Sequence, residues 1–220
     1  TFVQTGTKTN QTSYNYTTVW DPVAQTFIID KTNFANGVFI DSINLFFKSK
    51  PANGFAPVTL SIVGTTNGYP NGEILPHSYV SVSPSEVKIS ENPQFLDAST
   101  YTQFTFPVPV YIQPDTLYAF ILRSGGSTSY EVWTAMNSDT ALPSSVKNLP
   151  TDATPSVITK IGAAPYVGSL FESQNAITWV ADPSKSLMFV INQAKYDTTQ
   201  TPKILFVVPK NLPTRKSTKN

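Results

Sequence analysis

Residues 168–197 read GSLFESQNAITWVADPSKSLMFVINQAKYD, and this stretch decides how the fold is interpreted. A polar segment, 172–175, separates Phe171 from Trp179, and apolar residues then alternate over 187–191. Such alternation places successive side chains on opposite faces of a strand. The pattern therefore predicts strands joined by a hydrogen-bonded turn at Ser173-Gln174-Asn175. The expected core residues are Phe171, Trp179, Leu187, Phe189 and Ile191.

The same pattern of short apolar segments and polar turns recurs along the chain. Short apolar runs appear at intervals of about ten residues, separated by turns rich in Gly, Pro and Asn. No segment sustains a helical period, and 18 prolines oppose long helices. We therefore predict an all-β fold, an antiparallel β-sandwich with a jelly-roll-like arrangement. The predicted strands cover 23–29, 38–48, 58–63, 79–82, 102–106, 110–112, 117–122, 130–135, 169–171, 177–179, 187–191 and 203–208.

Two of these strands carry more specific expectations. The run LYAFIL at 117–122 is almost continuously apolar, which is typical of a central strand. Alternation over 38–48 predicts two faces. One face holds Phe39, Ile43, Leu45 and Phe47, and the other holds Ile40, Ser42, Asn44 and Phe46. Between strands, 67–72 (NGYPNG) is a dense cluster of turn residues.

Composition narrows the class of protein. The 220 residues contain no cysteine, so disulfides, thiol nucleophiles and cysteine metal sites are excluded. The formal net charge is +1, which gives no electrostatic reason to expect nucleic acid or anionic lipid as a partner. No apolar run is long enough for a membrane span, so membrane insertion is not expected. Charged residues are only 13%, against about a quarter in typical domains, and this low charge is common in virion and adhesion β-proteins.

The chain divides into three parts. Residues 1–18 are rich in Thr, Asn, Gln and Tyr and indicate an extended arm. Residues 19–197 form the predicted sandwich domain, and 198–220 hold a strand and a basic tail. Because the chain starts at Thr1, we expect a processed chain or a fragment of something longer.

Several segments resemble structural proteins of contractile-tailed bacteriophages. Asp21–Phe27 (DPVAQTF) is similar to a "DPLAQTF" box of that group, and Asn67–Pro70 (NGYP), with Leu75-Pro76 and Ser78 after it, to an "NGYP…LP.S" box. Gly168–Tyr196 resembles the "G.LF.SQN..TW…DL.F…A.F" ending. Between them, in the expected order, lie Phe104-Thr105-Phe106, Pro109-Val110-Tyr111, Tyr118-Ala119 and Tyr130-Glu131-Val132-Trp133.

The resemblance covers roughly residues 20–197. It implies a β-sandwich domain of a virion protein in the baseplate or tail-fibre region, with no catalytic residues to transfer. Ser186 stands where the group has an acidic residue, and this departure leaves the identity of the subunit open.

Catalytic and metal sites have little support in the sequence. His77 is the only histidine and lies in a turn-like context without a nucleophile motif, so it is interpreted as a surface turn residue. The fourteen carboxylates are scattered, mostly at strand ends and turns, although two could meet in space as in glycosidases. No Asp-rich calcium loop is present. We therefore expect no enzyme activity, no cofactor and no metal.

The remaining candidates concern binding. Tyr14 and Tyr16 in the arm, and Ile204 and Phe206 in the C-terminal strand, are candidates for subunit contact. Tyr69 and Trp133 are candidates for glycan contact, although Trp133 and Trp179 are better interpreted as core. The basic tail could contact a negative surface or be solvated. Its cations are Lys210, Arg215, Lys216 and Lys219.

The sequence thus predicts a structural and assembly domain of a phage virion, assembled in the host cytoplasm. Its expected partners are other tail or baseplate subunits, including further copies of the chain. The alternative is a carbohydrate-binding module that recognises the host surface, a hypothesis that rests on fold-level analogy to lectins.

Overall fold

The computed structural model describes residues 21–52, 56–136, 167–175, 177–196 and 199. These residues form β-strands, and none of the described segments is helical. Every pairing between the strands is antiparallel. The all-β prediction is confirmed. The strands are β1 Val23–Ile28, β2 Val38–Leu45, β3 Phe47–Ser49, β4 Val58–Thr66, β5 Tyr69–Val82, β6 Thr102–Ile112, β7 Leu117–Arg123, β8 Glu131–Val132, β9 Thr134–Met136, β10 Val167–Glu172, β11 Val180–Asp182, β12 Lys185–Leu187 and β13 Phe189–Gln193.

The largest sheet has six strands in the order β11-β10-β1-β7-β4-β5. Strand β1 lies against β7 from Val23 opposite Leu122 to Ile28 opposite Leu117. Strand β7 also pairs with β4, so it lies in the interior of the sheet. The continuous apolar run of β7 was predicted to mark a central strand, and this is confirmed.

A second sheet has three strands in the order β13-β2-β6. Two short pairs, β3-β8 and β12-β9, continue from it. They meet at Trp133, whose backbone N–H donates to the Phe46 carbonyl at 2.9 Å and whose carbonyl accepts from the Met188 N–H at 2.9 Å. The β8–β9 segment is therefore inserted between the continuations of β2 and β13.

The main hydrophobic core lies between the two sheets. Phe27, Leu60 and Phe120 from the large sheet pack in one cluster with Ile43 and Phe104 from the small one. A core formed by the facing sides of two sheets is a β-sandwich-like arrangement. About 25 cal/mol is gained for each Å² of apolar surface removed from water, so this layer is the principal source of stability.

The opposite face of the six-stranded sheet carries a second buried cluster. Strands β1, β4, β7 and β10 each give their main-core side chains to one face and the intervening side chains to the other. Trp179, which follows β10 in the chain, packs in this second cluster. Its members are Ala24, Val63, Ala119, Ile121, Phe171 and Trp179.

A bulge in β2 corrects the predicted faces of that strand. Against β13, Ile40 lies opposite Gln193 and Ser42 opposite Asn192, so Asp41 is an extra residue in β2. The shift changes the phase of the alternation, because an extra residue turns the following side chains to the other face. Phe39 is therefore exposed, although it was predicted to share a face with Ile43.

A second irregularity corrects the prediction around the NGYP segment. Asn67 and Gly68 form a two-residue hairpin turn with φ of 53° and 84°, as expected for Asn-Gly. Strand β5 then begins directly at Tyr69 and continues to Val82, so the predicted turn at 69–72 is wrong. The strand continues because Ser78 Oγ takes the place of a strand partner. It donates to the Ile62 carbonyl at 3.0 Å and accepts from the Ile62 N–H at 3.2 Å.

The predictions for residues 168–197 are confirmed in part. Phe171, Trp179 and Leu187 are buried, whereas Phe189 and Ile191 are partly buried against the main core. The predicted strand at 177–179 is wrong, because those residues belong to the turn and the strand is Val180–Asp182.

Candidate functional site

Buried polar side chains tie β1 to two other strands, and we call these contacts the seam. Gln25 is fully buried, and its Oε1 accepts from the Leu187 N–H of β12 at 2.8 Å. Thr26 Oγ1 accepts from the Ser169 N–H at 2.8 Å and lies 3.3 Å from the Ser169 carbonyl, to which it donates. Buried polar groups that are paired in this way specify one arrangement of strands.

Gly168 completes the seam. Strand β10 bulges against β1: Gly168 and Ser169 lie between the partners of Gln25 and Phe27, so both face Thr26. A Cβ at this glycine would overlap the Thr26 side chain and would lie 3.2 Å from the Thr26 carbonyl oxygen. Glycine is therefore required here for close approach of the two strands.

The turn between β10 and β11 is built around Asn175. Its Oδ1 accepts from the backbone N–H groups of Ile177 and Thr178, at 2.9 and 2.7 Å, and its Nδ2 donates to Thr178 Oγ1 at 3.2 Å. Ser173 is buried, and its N–H donates to the Pro22 carbonyl at 3.1 Å. The prediction of a hydrogen-bonded turn at Ser173–Asn175 is confirmed.

A polar cleft with a volume of about 620 Å³ lies beside this turn. Volumes of about 300–1,000 Å³ are typical of small-ligand sites. The walls come from the segment before β1, the end of β10, the turn and the start of β11. The lining residues are Asp21, Pro22, Val23, Glu172, Ser173, Gln174, Asn175, Thr178 and Val180.

Two carboxylates give the polar cleft its charge. Glu172 lies opposite Val23 of β1, and Asp21 stands two residues before Val23, so both acidic residues line the cleft. The nearby cation, Lys185, lies 3.1 Å from Asp182 in the salt bridge of the described residues. The Ser184 hydroxyl and Lys185 hold the pKa of Asp182 below its usual range, and Asp182 raises the pKa of Lys185. Asp21 and Glu172 form no salt bridge among those residues, although the charge of Glu172 adds to the rise in the pKa of Lys185.

A separate surface is apolar, and we call it the aromatic patch: Phe39, Tyr111 and Tyr196. Their exposed fractions are 41%, 43% and 56%. The Phe39 ring lies 5.3 Å from that of Tyr111 and 5.4 Å from that of Tyr196. Aromatic side chains are enriched at protein interfaces. The sequence did not indicate this patch, because its residues come from distant segments and alternation placed Phe39 on the same face as Ile43.

The two predicted glycan contacts lie in different surroundings. Tyr69 is half exposed, and its ring packs edge-on against Phe171 at 5.4 Å, beside the second cluster. Trp133 is partly buried next to the three-stranded sheet, where its Nε1 donates to the Ser90 carbonyl at 2.8 Å and Lys48 Nζ lies 5.9 Å from the ring. The structure does not bring the two rings together. It places Trp133 outside both core clusters, which corrects its assignment to the core.

The predicted subunit contacts lie outside the described residues. These are Tyr14, Tyr16, Ile204 and Phe206, together with the basic tail. They stay predictions.

His77 lies exposed in β5 with a φ of 63°. It belongs to a strand irregularity and not to the turn that was predicted. Within the described ranges, no group of three or more metal-ligating side chains converges, and no helix has the length and apolar character of a membrane span. The arrangement thus offers a binding cleft and an apolar surface, and the absence of an enzyme activity stays a prediction.

Comparison of the chain with protein-family models, curated proteins and solved structures gives no match. The resemblance to phage tail proteins therefore depends on the sequence boxes alone.

Proposed function

We propose that the chain is a non-enzymatic structural and assembly domain of a contractile-tailed bacteriophage virion, located in the tail baseplate. It would join the virion during assembly in the host cytoplasm and hold neighbouring subunits together. The finer description of the fold as a jelly roll belongs to the same proposal.

The observation that carries this proposal is that residues of the sequence boxes form the contacts that hold the strands together. Gln25 and Thr26 from the first box and Gly168 from the last one meet in the seam, 143 residues apart in the Thr26–Ser169 contact. Ser78 of the middle box supports the β4–β5 pairing. These side chains form backbone contacts and leave no reactive group exposed, which is what a rigid assembly unit requires.

The aromatic patch supplies a surface for the neighbouring subunit. Covering three half-exposed rings would remove apolar area from water, and such rings often supply much of the binding energy at interfaces. The strand edges and the two terminal segments would add backbone hydrogen bonds.

Deletion of the terminal segments tests the proposal. Removal of residues 1–18 or 203–220 should leave cooperative thermal unfolding intact and weaken association, measured by sedimentation velocity. Loss of cooperative unfolding in the truncated chains would contradict the proposed division into core and assembly segments. The parent reading frame gives a second check, since its neighbouring genes should encode other tail proteins.

A carbohydrate-binding host-recognition module is the second candidate, and the half-exposed ring of Tyr69 favours it. A sugar face could stack on such a ring. Saturable binding on a glycan array that is lost in Tyr69→Ala or Trp133→Ala, with unfolding unchanged, would replace the assembly proposal with this one.

A further inference from the structure

The polar cleft has a wall that is organised before any ligand arrives. The Asn175 side chain bonds three groups of its own turn, and the Ser173 N–H anchors the turn to Pro22. Behind the turn, Trp179 is buried in the second cluster. A site that is already rigid loses less conformational entropy when it binds a ligand.

The groups that remain available in the cleft are mainly hydrogen-bond acceptors. Asn175 Oδ1 is already satisfied by two backbone donors, so it offers little to a ligand. The carboxylates of Asp21 and Glu172 and the exposed amide of Gln174 make no hydrogen bond within the described part of the chain. Carboxylates accept most strongly from charged donors, and they prefer the ammonium of Lys or the guanidinium of Arg.

The shape and apolar parts of the cleft agree with this chemistry. Val23 and Val180 line it beside the carboxylates, and Ile177 next to it is 83% exposed. Long basic side chains pack their methylene stems on such aliphatic surface while the charged head reaches an acceptor. No aromatic ring lines the cleft, so a sugar would lack the stacking face that such ligands commonly use.

We propose that the polar cleft binds a lysine- or arginine-bearing extended segment of a protein, and that the segment is the basic tail of this chain, 209–220. This inference deepens the proposed assembly function and rests on it for the nature of the partner. The tail reads PKNLPTRKSTKN, with four cations and no acidic residue. Its positive charge is complementary to the negative charge of Asp21 and Glu172.

The test measures peptide binding to the full chain. The receptor is the 220-residue protein with Lys210, Arg215, Lys216 and Lys219 changed to Gln, so that its own tail does not compete. The ligand is a fluorescent peptide of residues 209–220, and its control carries Gln at the same four positions. We expect saturable polarisation with the basic peptide only, weakened as salt rises from about 0.05 to about 0.5 M.

Variants of the cleft locate the binding. Asp21→Asn with Glu172→Gln should weaken binding by about tenfold, and each single change by about threefold. Glu131→Gln is the matched control, because this carboxylate is exposed in β8, away from the cleft, and should leave binding unchanged. Thermal unfolding checks that each variant folds. If the double variant does not fold, the two single variants locate the binding instead.

A separate measurement shows whether the bound tail belongs to the same chain or to a second copy. If it comes from a second copy, the native chain should associate with rising concentration, each of the tail and cleft variants should fail to do so, and a mixture of the two should associate again. If it comes from the same chain, the native protein should stay monomeric and bind the peptide more weakly than the receptor does.

Two results would overturn the inference. One is absence of binding at peptide concentrations up to about 1 mM, which is weaker than a specific site should bind. Equal binding by the double variant and the unchanged receptor would count in the same way. The other is glycan binding that the same two substitutions abolish. Neither result depends on whether terminal deletion weakens assembly, so the two proposals can fail independently.

Discussion

The seam and the aromatic patch use side chains in opposite ways. In the seam, polar Gln25 and Thr26 are buried and hydrogen-bonded to backbone groups of β12 and β10. In the aromatic patch, Phe39, Tyr111 and Tyr196 are apolar and roughly half exposed. The first holds strands in one arrangement, and the second leaves surface that a partner would stabilise by covering it. The seam fixes the strands, and the aromatic patch is surface that the paired strands bring together from residues distant in sequence.

Replacement of Gly168 by Ala is the strongest way to break the seam. The new Cβ would overlap the Thr26 side chain, with Thr26 Cβ at 2.8 Å, so one strand must shift. We expect the free energy of unfolding to fall by about 3 kcal/mol, at the upper end of overpacking costs. Denaturant titration measures this loss.

Gly64→Ala is the matched control, because a Cβ there meets only the Asn71 amide at 3.3 Å, the end of a side chain that can move. It should cost under about 1 kcal/mol. Equal losses for both glycines would mean that the close approach at Thr26 does not constrain the sheet.

Gln25→Ala should have the next largest effect. It removes the acceptor for the Leu187 N–H and leaves that donor buried and unpaired. The expected cost is about 2 kcal/mol in the free energy of unfolding. Gln193→Ala, at an exposed position at the end of β13, should change stability by less than about 0.5 kcal/mol. If Gln25→Ala lowered the free energy of unfolding no more than this control does, a water molecule would have replaced the side chain as the acceptor.

Local sequence patterns predicted many of the strands, because a strand in which apolar residues alternate regularly or run continuously can be recognised from its own sequence. Strands β1 and β7 were placed within one residue of their ends by apolar runs. The Asn67-Gly68 turn follows from the backbone freedom of those two residues. The turn at Ser173–Asn175 was predicted for a similar reason, since its hydrogen bonds are local.

The failures share one physical cause, which is a contact between distant segments. The bulge at Asp41 is defined by pairing with β13, so alternation alone placed Phe39 on the same face as Ile43. Ser78 maintains β5 through Ile62, which lies on another strand. The polar cleft depends on such a pairing as well, since Asp21 and Glu172 come from two separate boxes that the pairing of β1 with β10 brings together.

Phe39→Ser tests the aromatic patch itself. The ring is only partly buried, so the free energy of unfolding should fall by about 1 kcal/mol, less than in either seam variant. Association with neighbouring subunits should weaken, because the ring contacts both other members of the patch. Leu96→Ser, at a site that is 88% exposed, is the control for a general loss of surface apolarity. Equal weakening by both, in sedimentation velocity, would show that the patch is not the contact.

Acid should lower the stability contributed by the turns beside the seam and the aromatic patch by similar, small amounts. Asp30 precedes the strand that carries Phe39, and the Thr32 N–H holds its pKa low, while the Ser184 hydroxyl does the same for Asp182 beside the seam. A lowered folded pKa adds stability above the unfolded value of about 3.9, and this stability is lost as pH falls through the folded value. Asp30→Asn and Asp182→Asn should therefore each flatten the fall in unfolding free energy below about pH 4. A larger flattening at Asp182 would mean that the seam, although it contains no ionisable group itself, depends on the charge of the turn beside it.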